Sequence, residues 1–392
     1  MARRTLSARG QGVAAAAALS GLVLALRAGV RWARRWPLAG ARVLITGGSR
    51  GLGLILAREF GRRGARLALC ARDAEELDRA RRDLEGRGVE VVTVPCDVRV
   101  RNQAEDMVRT VSERLDGLDI LVNNAGVIQV GPLDTLTLAD YENAMATNFW
   151  AALYVTHAVL PVLRRRGGGR IVNICSIGGK VSVPHLLPYS ASKFALTGWS
   201  EGLRAELARE GILVTTVCPG LMRTGSPRNA TFKGEHRAEY AWFSVSDAVP
   251  GLSVAAERAA RTVVAACRAG SAEVVLTVPA KVAVAVHGLF PGFTADVLGV
   301  VNGLLPGPGG IGRAGVRGSE SGSPVSPSWL TALGDKAARR NNQIPGPRDP
   351  EPRPTAPGEA SATVERRPGR PGLVIGPTGG GPDVGMAPES NA

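Results

Sequence analysis

The run Thr46-Gly47-Gly48-Ser49-Arg50-Gly51-Leu52-Gly53 follows directly on the apolar stretch Arg42–Thr46 (RVLIT) and leads into a helical pattern. Glycine is needed where a backbone turns sharply, approaches a bound group closely, or lets a helix pack against a strand. The N-terminus of the following helix offers unpaired N–H groups and a positive dipole end, which together bind phosphate. A strand, a glycine-rich turn and a helix in this order predict a phosphate-binding loop. Its candidate binding residues are Thr46, Gly47, Ser49, Arg50, Gly51, Leu52 and Gly53.

Further short runs rich in β-branched residues follow along the chain, and helical patterns such as Gly51–Gly64 and Ala74–Gly88 separate most of them. Strands that are apolar on both faces and alternate with helices form parallel sheets that helices cover on both sides. The sequence therefore predicts one α/β domain, a doubly wound parallel sheet of the Rossmann type with seven strands. The predicted strands are Arg42–Thr46, Arg66–Cys70, Glu90–Val94, Asp119–Asn123, Arg170–Cys175, Leu213–Cys218 and Glu273–Thr277.

The end of the second predicted strand indicates which dinucleotide the loop binds. In NAD-binding proteins an Asp or Glu about 20 residues beyond the glycine loop holds the ribose 2′-hydroxyl, whereas an arginine there accommodates the 2′-phosphate of NADP. Here the strand ends Cys70-Ala71-Arg72, without an acid at Ala71. Arg50 in the loop is placed to hold the same phosphate from the other side. We therefore predict a preference for NADP(H) over NAD(H), with solvated surface arginines as the alternative interpretation.

Tyr189 and Lys193 lie four residues apart at the start of a helical pattern, a spacing that puts both side chains on one helix face. A nearby ammonium group favours the phenolate and lowers the pKa of a tyrosine from its usual value of about 10. Such a tyrosine can exchange a proton with a carbonyl or alcohol oxygen. Because Tyr-x-x-x-Lys is common on solvated helices, the pair predicts catalysis only in combination with other motifs.

Those other motifs are present, and in order and spacing they resemble the short-chain dehydrogenase/reductase family over residues 41–277. The glycine loop is similar to the family's T-G-x-x-x-G-x-G, and Asn123-Asn124-Ala125-Gly126 matches its N-N-A-G. Asn148 lies in the following helix, Ser176 ends the fifth strand, and Tyr189 follows thirteen residues later. The resemblance to the family's Asn-Ser-Tyr-Lys tetrad implies that the catalytic residues are Asn148, Ser176, Tyr189 and Lys193.

The resemblance also implies a role for each residue of this tetrad. Tyr189 is expected to be the general acid in reduction and the base in oxidation, while Lys193 holds the nicotinamide ribose and lowers the tyrosine pKa. Ser176 is expected to hydrogen-bond the substrate oxygen. Asn148 is expected to hold a water in a proton relay that ends at Lys193. The nicotinamide cofactor supplies the hydride.

The predicted cofactor site extends beyond the glycine loop. Asp97 and Val98 look like the family's adenine contact, and Pro219-Gly220 with Thr224 is similar to its carboxamide contact. Family members usually form homodimers or homotetramers, so such an assembly is expected here. Outside the loop, the predicted cofactor-binding residues are Arg72, from its position, and those that the resemblance implies: Asp97, Val98, Asn124, Ala125, Gly126, Tyr189, Lys193, Pro219, Gly220 and Thr224.

The chain has 392 residues and a formal net charge of +14, which raises the question of a polyanionic partner. Half of this charge lies in residues 1–40, which hold seven arginines and no acid, whereas residues 41–305 carry +5. Aromatic residues do not interleave with these arginines as base stacking requires, so we predict no nucleic-acid partner. Five scattered cysteines without a C-x-x-C, and four histidines without ligand spacing, predict no disulfide framework, no metal site and a cytoplasmic location.

Both ends of the chain differ in composition from residues 41–305, which we predict to be the NADP-binding catalytic domain. In the N-terminal arm, residues 1–40, fifteen uncharged residues from Gly12 to Leu26 lie between arginines. We predict that residues 12–30 associate with a membrane, with a signal peptide and a disordered extension as alternatives. Residues 306–392 contain 15 Pro and 17 Gly, which predicts a disordered tail.

The segment after the sixth strand covers the substrate in the family that this chain resembles. Here it spans roughly 221–249 and holds four aromatic residues, Phe232, Tyr240, Trp242 and Phe243. Two apolar stretches follow, Val282–Leu289 and Ala295–Leu305. We predict an enzyme that interconverts a carbonyl and a secondary alcohol on an apolar, lipid- or steroid-like small molecule. The alternatives are a soluble ketoreductase of small carbonyls or acyl thioesters, and an NADPH-sensing protein without turnover.

Overall fold

The computed structural model describes residues 34–249, 251–324, 326 and 331–344, together with Gly21 and Gly29. The prediction of a membrane-associated segment at residues 12–30 therefore falls, apart from those two glycines, outside the described residues. The predicted tail after residue 344 lies outside them as well.

Seven parallel strands form the central sheet, which confirms the predicted α/β fold class. The strands described are β1 (Arg42–Thr46), β2 (Arg66–Ala71), β3 (Val91–Pro95), β4 (Ile120–Asn123), β5 (Gln129–Val130), β6 (Gly169–Ile174), β7 (Ile212–Cys218), β8 (Met222–Arg223), β9 (Thr231–Phe232), β10 (Val254–Ala255), β11 (Glu273–Val275) and β12 (Val316–Arg317). The order in the central sheet is β11-β7-β6-β4-β1-β2-β3. The chain starts in the middle at β1 and winds to both edges, so β1 and β4 meet at the switch point where ligands bind in such sheets.

Helices cover both faces of this sheet. They are α1 (Gly51–Gly61), α2 (Ala74–Glu85), α3 (Arg101–Leu115), α4 (Leu138–Met145), α5 (Ala151–Arg165), α6 (Leu187–Leu207), α7 (His236–Ala248), α8 (Ala256–Ala269), α9 (Val278–Leu289), α10 (Pro291–Asn302) and α11 (Ala332–Arg340). Val43 and Ile45 of β1 pack with α1, α2 and α8, whereas Leu44 packs with α3 and α5 on the other face. Because successive strand residues point to opposite faces, a strand covered on both sides needs a continuous apolar run such as RVLIT.

One long helix, Leu138–Arg165, comprises α4, a π-helical turn at Ala146–Trp150, and α5. Among the described residues, it is the one helix that is long and apolar enough to cross a membrane. Its α5 half, however, buries Val155, Val159 and Leu163 against the central sheet. We therefore interpret it as a core helix of the domain. π turns are frequent at functional sites, and this one carries Asn148.

The expectation that the chain is disordered from Pro306 onward is wrong for part of that segment. β12 pairs with β9, and α11 runs from Ala332 to Arg340. Ala338 and Asn341 are fully buried in spite of the surrounding composition. A Pro- and Gly-rich chain cannot build a core of its own, but these short elements bury their side chains against the surface of the larger domain.

Two consecutive helices, α9 and α10, form a hairpin whose apolar side chains are largely exposed. They coincide approximately with the two apolar stretches predicted after the seventh strand. α10 has no buried residue, and Phe290 and Phe293 at the turn expose 60% and 62% of their surfaces. The first turn of α9 is the exception, because Ala280 is buried. Exposed apolar area of this extent on a monomer usually marks an interaction surface.

Candidate active site

The glycine loop joins β1 to α1 and packs against the N-N-A-G turn that follows β4. Gly47 has a φ of +62°, a conformation in which side chains are strained. A Cβ on Gly47 would lie 2.9 Å from the Cα of Ala125, and one on Gly53 would collide with the carbonyl oxygen of Gly47. The glycines are therefore required by close backbone packing, and they bring the N-terminus of α1 to the carboxyl ends of the strands.

Thr46 and Asn124 hold the two turns together. The Thr46 Oγ1 accepts the backbone N–H groups of Asn124 and Ala125 at 3.0 and 3.1 Å. The Asn124 side-chain amide donates to the carbonyl oxygens of Thr46 and Gly47, both at 3.0 Å. These two predicted site residues consequently act on the shape of the loop, which must be rigid if its N–H groups are to bind a ligand.

Ser176 and Tyr189 lie together where β6 ends and α6 begins. The Ser176 Oγ accepts the N–H of Gly178 at 3.0 Å, which caps the short 3₁₀ turn Ile177–Gly179 and orients the serine. Burial raises the pKa of Tyr189 to about 12, and a hydrogen bond to Ser176 offsets part of that increase. At neutral pH the tyrosine hydroxyl therefore carries its proton, as a general acid must.

Lys193 is fully enclosed and carries no acidic partner in the contacts that the described residues make with it. Its Nζ donates to the carbonyl oxygen of Ile174 at 2.9 Å and lies 5.8 Å from the centre of the Tyr189 ring. Burial lowers the pKa of Lys193 to about 8. The expectation that Lys193 lowers the pKa of Tyr189 is not met in this structure, because desolvation dominates the titration of both groups.

Asn148 lies in the π turn and is one of the most buried polar residues of the site. Its Oδ1 accepts the N–H of Val127 at 2.8 Å, and its Nδ2 donates to the carbonyl oxygen of Val127 at 3.1 Å. The same Nδ2 donates to the Oγ of Ser192 at 2.9 Å. Asn148 therefore connects the turn after β4 to α6, the helix that carries Tyr189 and Lys193. Ser192 is a member of this connection that motif reasoning missed.

The predicted adenosine end of the site contains an acid that sequence reasoning also missed. Glu76 in the first turn of α2 accepts the Ser49 hydroxyl at 3.0 Å and pairs with Arg50. Arg50 is thus held by Glu76 rather than left to face Arg72, which is exposed at the end of β2. Glu76 is held in place by the start of α2, where Asp73 caps the helix by accepting the Glu76 N–H.

Asp97 and Val98 follow β3, on the same edge of the sheet. Val98 is buried in the core layer that contains α3, and Asp97 pairs with Arg99 at 2.6 Å. This pairing is the main reason why the pKa of Asp97 lies below its usual value. Asp97 is therefore a fixed negative charge at this end of the candidate site.

The residues after β7 lie at the opposite end of the site. The carbonyl oxygen of Pro219 accepts the N–H of Ile177 at 2.7 Å, which joins this turn to the one that carries Ser176. A Cβ on Gly220 would lie 3.2 Å from the Cβ of Ala280, so α9 begins directly beside the turn. Thr224 is buried, and its Oγ1 accepts the N–H of Ser226 at 3.1 Å.

The aromatic residues of the covering segment pack mainly on one another. Phe232, Tyr240 and Phe243 are buried, and the Phe232 ring meets the other two edge to face at 5.4 and 5.9 Å. Tyr189 and Trp242 pack against the edge of this cluster. The cluster is therefore the apolar core of this segment, and Tyr189 packs against it.

A buried pair that the sequence did not reveal anchors the covering segment. The Nδ1 of His185, in the loop before Tyr189, lies 2.7 Å from the Oε1 of Glu239 on α7. Glu239 also accepts the indole N–H of Trp242 at 2.6 Å. His185 has a φ of +62°, which is unusual for a residue with a side chain and indicates local strain. The contact joins α7 to the loop that precedes Tyr189.

These features together fit a dinucleotide cofactor. The tight glycine turn, the helix N-terminus and a buried lysine line one edge of the sheet, which is the arrangement that binds a pyrophosphate and a ribose. The same edge holds a protonated tyrosine next to a serine hydroxyl, and such a pair can bind and protonate a carbonyl oxygen.

Comparison with known proteins agrees with this arrangement. The sequence model of the family described as short chain dehydrogenase matches residues 41–233. The chain is 37% identical over 187 residues to gluconate 5-dehydrogenase of Gluconobacter oxydans, which covers 48% of this chain and 73% of that protein. It is 36% identical over 183 residues to a ketoacyl reductase of Nostoc, covering 47% of this chain and 64% of that one.

A solved structure shows the same fold. The short-chain type dehydrogenase/reductase of Mycobacterium marinum superposes with a TM-score of 0.54 at 25% identity, covering 61% of this chain and 94% of that one. Family match, relatives and structure agree with the geometry of the candidate site. The chain therefore belongs to the short-chain dehydrogenase/reductase family and is an oxidoreductase.

Proposed function

We propose that this protein is an NADP(H)-dependent oxidoreductase that interconverts a carbonyl and a secondary alcohol by hydride transfer. The observation that carries the proposal is the meeting of Ser176, Tyr189, Lys193 and Asn148 at the edge of the sheet where the glycine loop lies. An NADPH-sensing protein without turnover has no need of a buried lysine beside a tyrosine and a serine.

In the reductive direction, we propose that Ser176 and Tyr189 bind the substrate carbonyl oxygen. The nicotinamide supplies the hydride when it is bound. Tyr189 donates its proton to the developing alkoxide, and Ser176 stabilises the same oxygen. Because burial raises the pKa of Tyr189 to about 12, the hydroxyl of the ligand-free protein carries the proton that reduction requires. Oxidation requires the Tyr189 phenolate. The ammonium group of Lys193 lies next to the ring, and its positive charge stabilises that phenolate.

Asn148 and Lys193 complete the proposed machinery. Lys193 is held by Ile174 and would bind the nicotinamide ribose. Asn148 fixes the position of α6 through Ser192 and would hold the water that returns a proton to Lys193. The other residues that would hold the cofactor are those of the glycine loop and Arg72, Asp97, Val98, Asn124, Ala125, Gly126, Pro219, Gly220 and Thr224.

The preference for NADP(H) rests mainly on Arg72. Arg50 already pairs with Glu76, whereas Arg72 is exposed at the end of β2. A guanidinium binds a phosphate through paired, charge-assisted hydrogen bonds. We expect Arg72→Asp to raise the Kd for NADPH by about 10–100-fold and to leave the Kd for NADH unchanged or lower. Fluorescence titration of both cofactors measures this.

A control for that experiment makes the same charge change elsewhere. Arg82 is an exposed arginine of α2 that pairs with Asp78 at 3.2 Å, so Arg82→Asp should leave both Kd values near those of the wild type. If the wild type binds NADH more tightly than NADPH, or if Arg72→Asp weakens both cofactors equally, the proposed preference is wrong.

The proposed substrate class is an apolar, lipid- or steroid-like carbonyl compound. Support for this class comes from Ile128, Val183 and Trp242, which are partly buried and, like Tyr189, pack against the aromatic cluster. A second class, acyl-thioester ketones, is favoured by the similarity to a ketoacyl reductase. A screen of NADPH oxidation with 3-ketosteroids, long-chain ketones, aldehydes and acetoacetyl thioesters tests both, and turnover of none of them would contradict the proposed activity.

We further propose that the protein is cytoplasmic, forms a homodimer or homotetramer, and contacts a membrane surface. Residues 12–30 and the exposed turn of the α9–α10 hairpin are the proposed contacts. Replacing Phe290 and Phe293 by serine should reduce co-flotation with liposomes, because each buried phenylalanine contributes about 2 kcal/mol of transfer free energy. Leu138→Ser, which changes an exposed residue outside the hairpin, is the control. Flotation equal to the wild type would overturn the role of the hairpin.

A further inference from the structure

The C-terminal segment 331–344, which we name the strap, lies directly on the glycine loop. The carbonyl oxygen of Asn341 accepts the N–H of Gly51 at 2.9 Å. The Asn342 Nδ2 donates to the carbonyl oxygen of Ser49 at 2.8 Å and to that of Glu76 at 3.1 Å. One side chain, nearly 300 residues distant in sequence, thus joins the loop to the first turn of α2.

The strap also reaches the segment that follows β7. Gln343 hydrogen-bonds Asn229, and its side-chain amide lies against Gly51. At Gly225 an added Cβ would lie 2.5 Å from the Cα of Ala338, so α11 is in backbone contact with this segment. The strap therefore bridges two parts of the candidate cofactor site, the glycine loop and the turn that carries Thr224.

Several contacts hold the strap in this position. Arg58 on α1 donates to the carbonyl oxygen of Arg340 at 3.1 Å and to the Oδ1 of Asn341 at 3.2 Å. Arg79 on α2 donates to the Oδ1 of Asn342 at 2.9 Å. Asn342 has a φ of +57°, a left-handed conformation that asparagine tolerates better than most residues. Both groups of its side-chain amide are thus engaged: Nδ2 donates to the carbonyl oxygens of Ser49 and Glu76, and Oδ1 accepts from Arg79.

We propose that the strap is a positioning element of the cofactor site and that Asn342 is its principal positioning residue. The inference rests on the proposed binding of NADPH. Asn342 acts through Ser49 and Glu76: it fixes the backbone of both, and Glu76 in turn orients the Ser49 hydroxyl and Arg50. With these groups in place before the cofactor arrives, binding does not have to order them, and affinity rises.

The chemistry of the strap distinguishes positioning from blockage. A segment that competed with a dinucleotide would occupy most of the N–H donors of the glycine loop. The strap instead directs an amide N–H pair at two carbonyl oxygens, which cannot bind phosphate. It also carries Lys336, Arg339 and Arg340 against one acid, Asp335. The contact between Asn341 and Gly51 uses one N–H, and the same helix turn supplies others.

The test uses the full chain with Asn342→Gly and Asn342→Asp. Glycine keeps the left-handed backbone and removes all three side-chain hydrogen bonds. Aspartate keeps the shape and an acceptor for Arg79, and replaces the two N–H donors by acceptors. We expect both variants to raise the Kd and the KM for NADPH about tenfold, since each lost hydrogen bond contributes modestly. We expect kcat at saturating NADPH to stay near that of the wild type. Leu333→Ala, an exposed position on α11, is the matched control.

The possible results distinguish failure of the positioning role of the strap from failure of the proposed function. If the wild type binds no NADPH, the proposed function fails and the strap has no cofactor to position. If the wild type binds NADPH and both Asn342 variants bind it equally well or more tightly, the positioning role is overturned, and tighter binding identifies a competitor. Gln343→Ala is a second variant on the other contact and keeps the test decisive if an Asn342 variant does not fold; it should raise the same Kd while the Tm stays within a few degrees.

Discussion

Replacing Tyr189 by phenylalanine is expected to reduce kcat at least about 10³-fold while the Kd for NADPH stays near that of the wild type. The substitution removes one oxygen atom and keeps the ring that packs against the aromatic cluster of the covering segment. With that oxygen absent, the carbonyl oxygen loses the group that donates its proton. Steady-state kinetics with the best substrate from the screen, together with fluorescence titration of NADPH, measures the two quantities.

A second tyrosine serves as the control for this substitution. Tyr154 lies on α5 and stacks on Trp150 with a centroid distance of 6.1 Å, away from the tetrad. Tyr154→Phe should leave kcat unchanged. Turnover by Tyr189→Phe within tenfold of the wild type would contradict the proposed mechanism, and the loss of NADPH binding in that variant would indicate a structural rather than a catalytic role.

Replacing Lys193 by methionine is expected to lower kcat/KM by about 10²–10³-fold and, unlike the tyrosine variant, to weaken NADPH binding as well. Methionine fills a similar volume but removes the ammonium that donates to Ile174 and lies over the Tyr189 ring. Kinetics and titration of this variant should therefore show both losses, and a Kd for NADPH equal to that of the wild type would contradict the proposed contact between Lys193 and the ribose.

The pH dependence of kcat/KM provides a second test of the Lys193→Met variant. Burial lowers the pKa of Lys193 to about 8, so the ammonium of the free enzyme is present below pH 8 and is lost as the pH rises through that value. Tyr189, with a pKa of about 12, keeps its proton over the same range. Reductive kcat/KM of the wild type should thus fall above about pH 8. Lys193→Met should lack that fall, and a decline of equal size in the variant would assign it to another group.

Much of the fold follows from local patterns in the chain. Each strand of the central sheet is a short, mainly apolar run, and each run was located within one or two residues because burial on both faces favours apolar residues. The glycine loop was equally readable, since the close contacts of Gly47 and Gly53 leave no room for a side chain. The tetrad came from motif order and spacing, and the structure brings its members to one edge of the sheet.

Other features depend on contacts between residues that are far apart in the chain. Glu76 pairs with Arg50, His185 contacts Glu239 on α7, and Asn342 binds the loop at Ser49. The sequence around each residue does not predict these contacts, because each partner taken alone resembles an ordinary surface residue. The composition of residues 306–392 predicts disorder for this segment taken alone. Within the folded protein, however, α11 packs against the domain.

Packing also explains the titration of Tyr189 and Lys193, the proposed catalytic pair. A spacing of four residues correctly placed Tyr189 and Lys193 on one helix face, and from charge alone it predicted a lowered tyrosine pKa. The folded protein raises that pKa and lowers the pKa of the lysine, because both groups are removed from water. The primary structure thus specifies which elements form and which chemical groups they carry. Desolvation and partners remote in sequence, which exist only once the chain is packed, decide how those groups are paired and protonated.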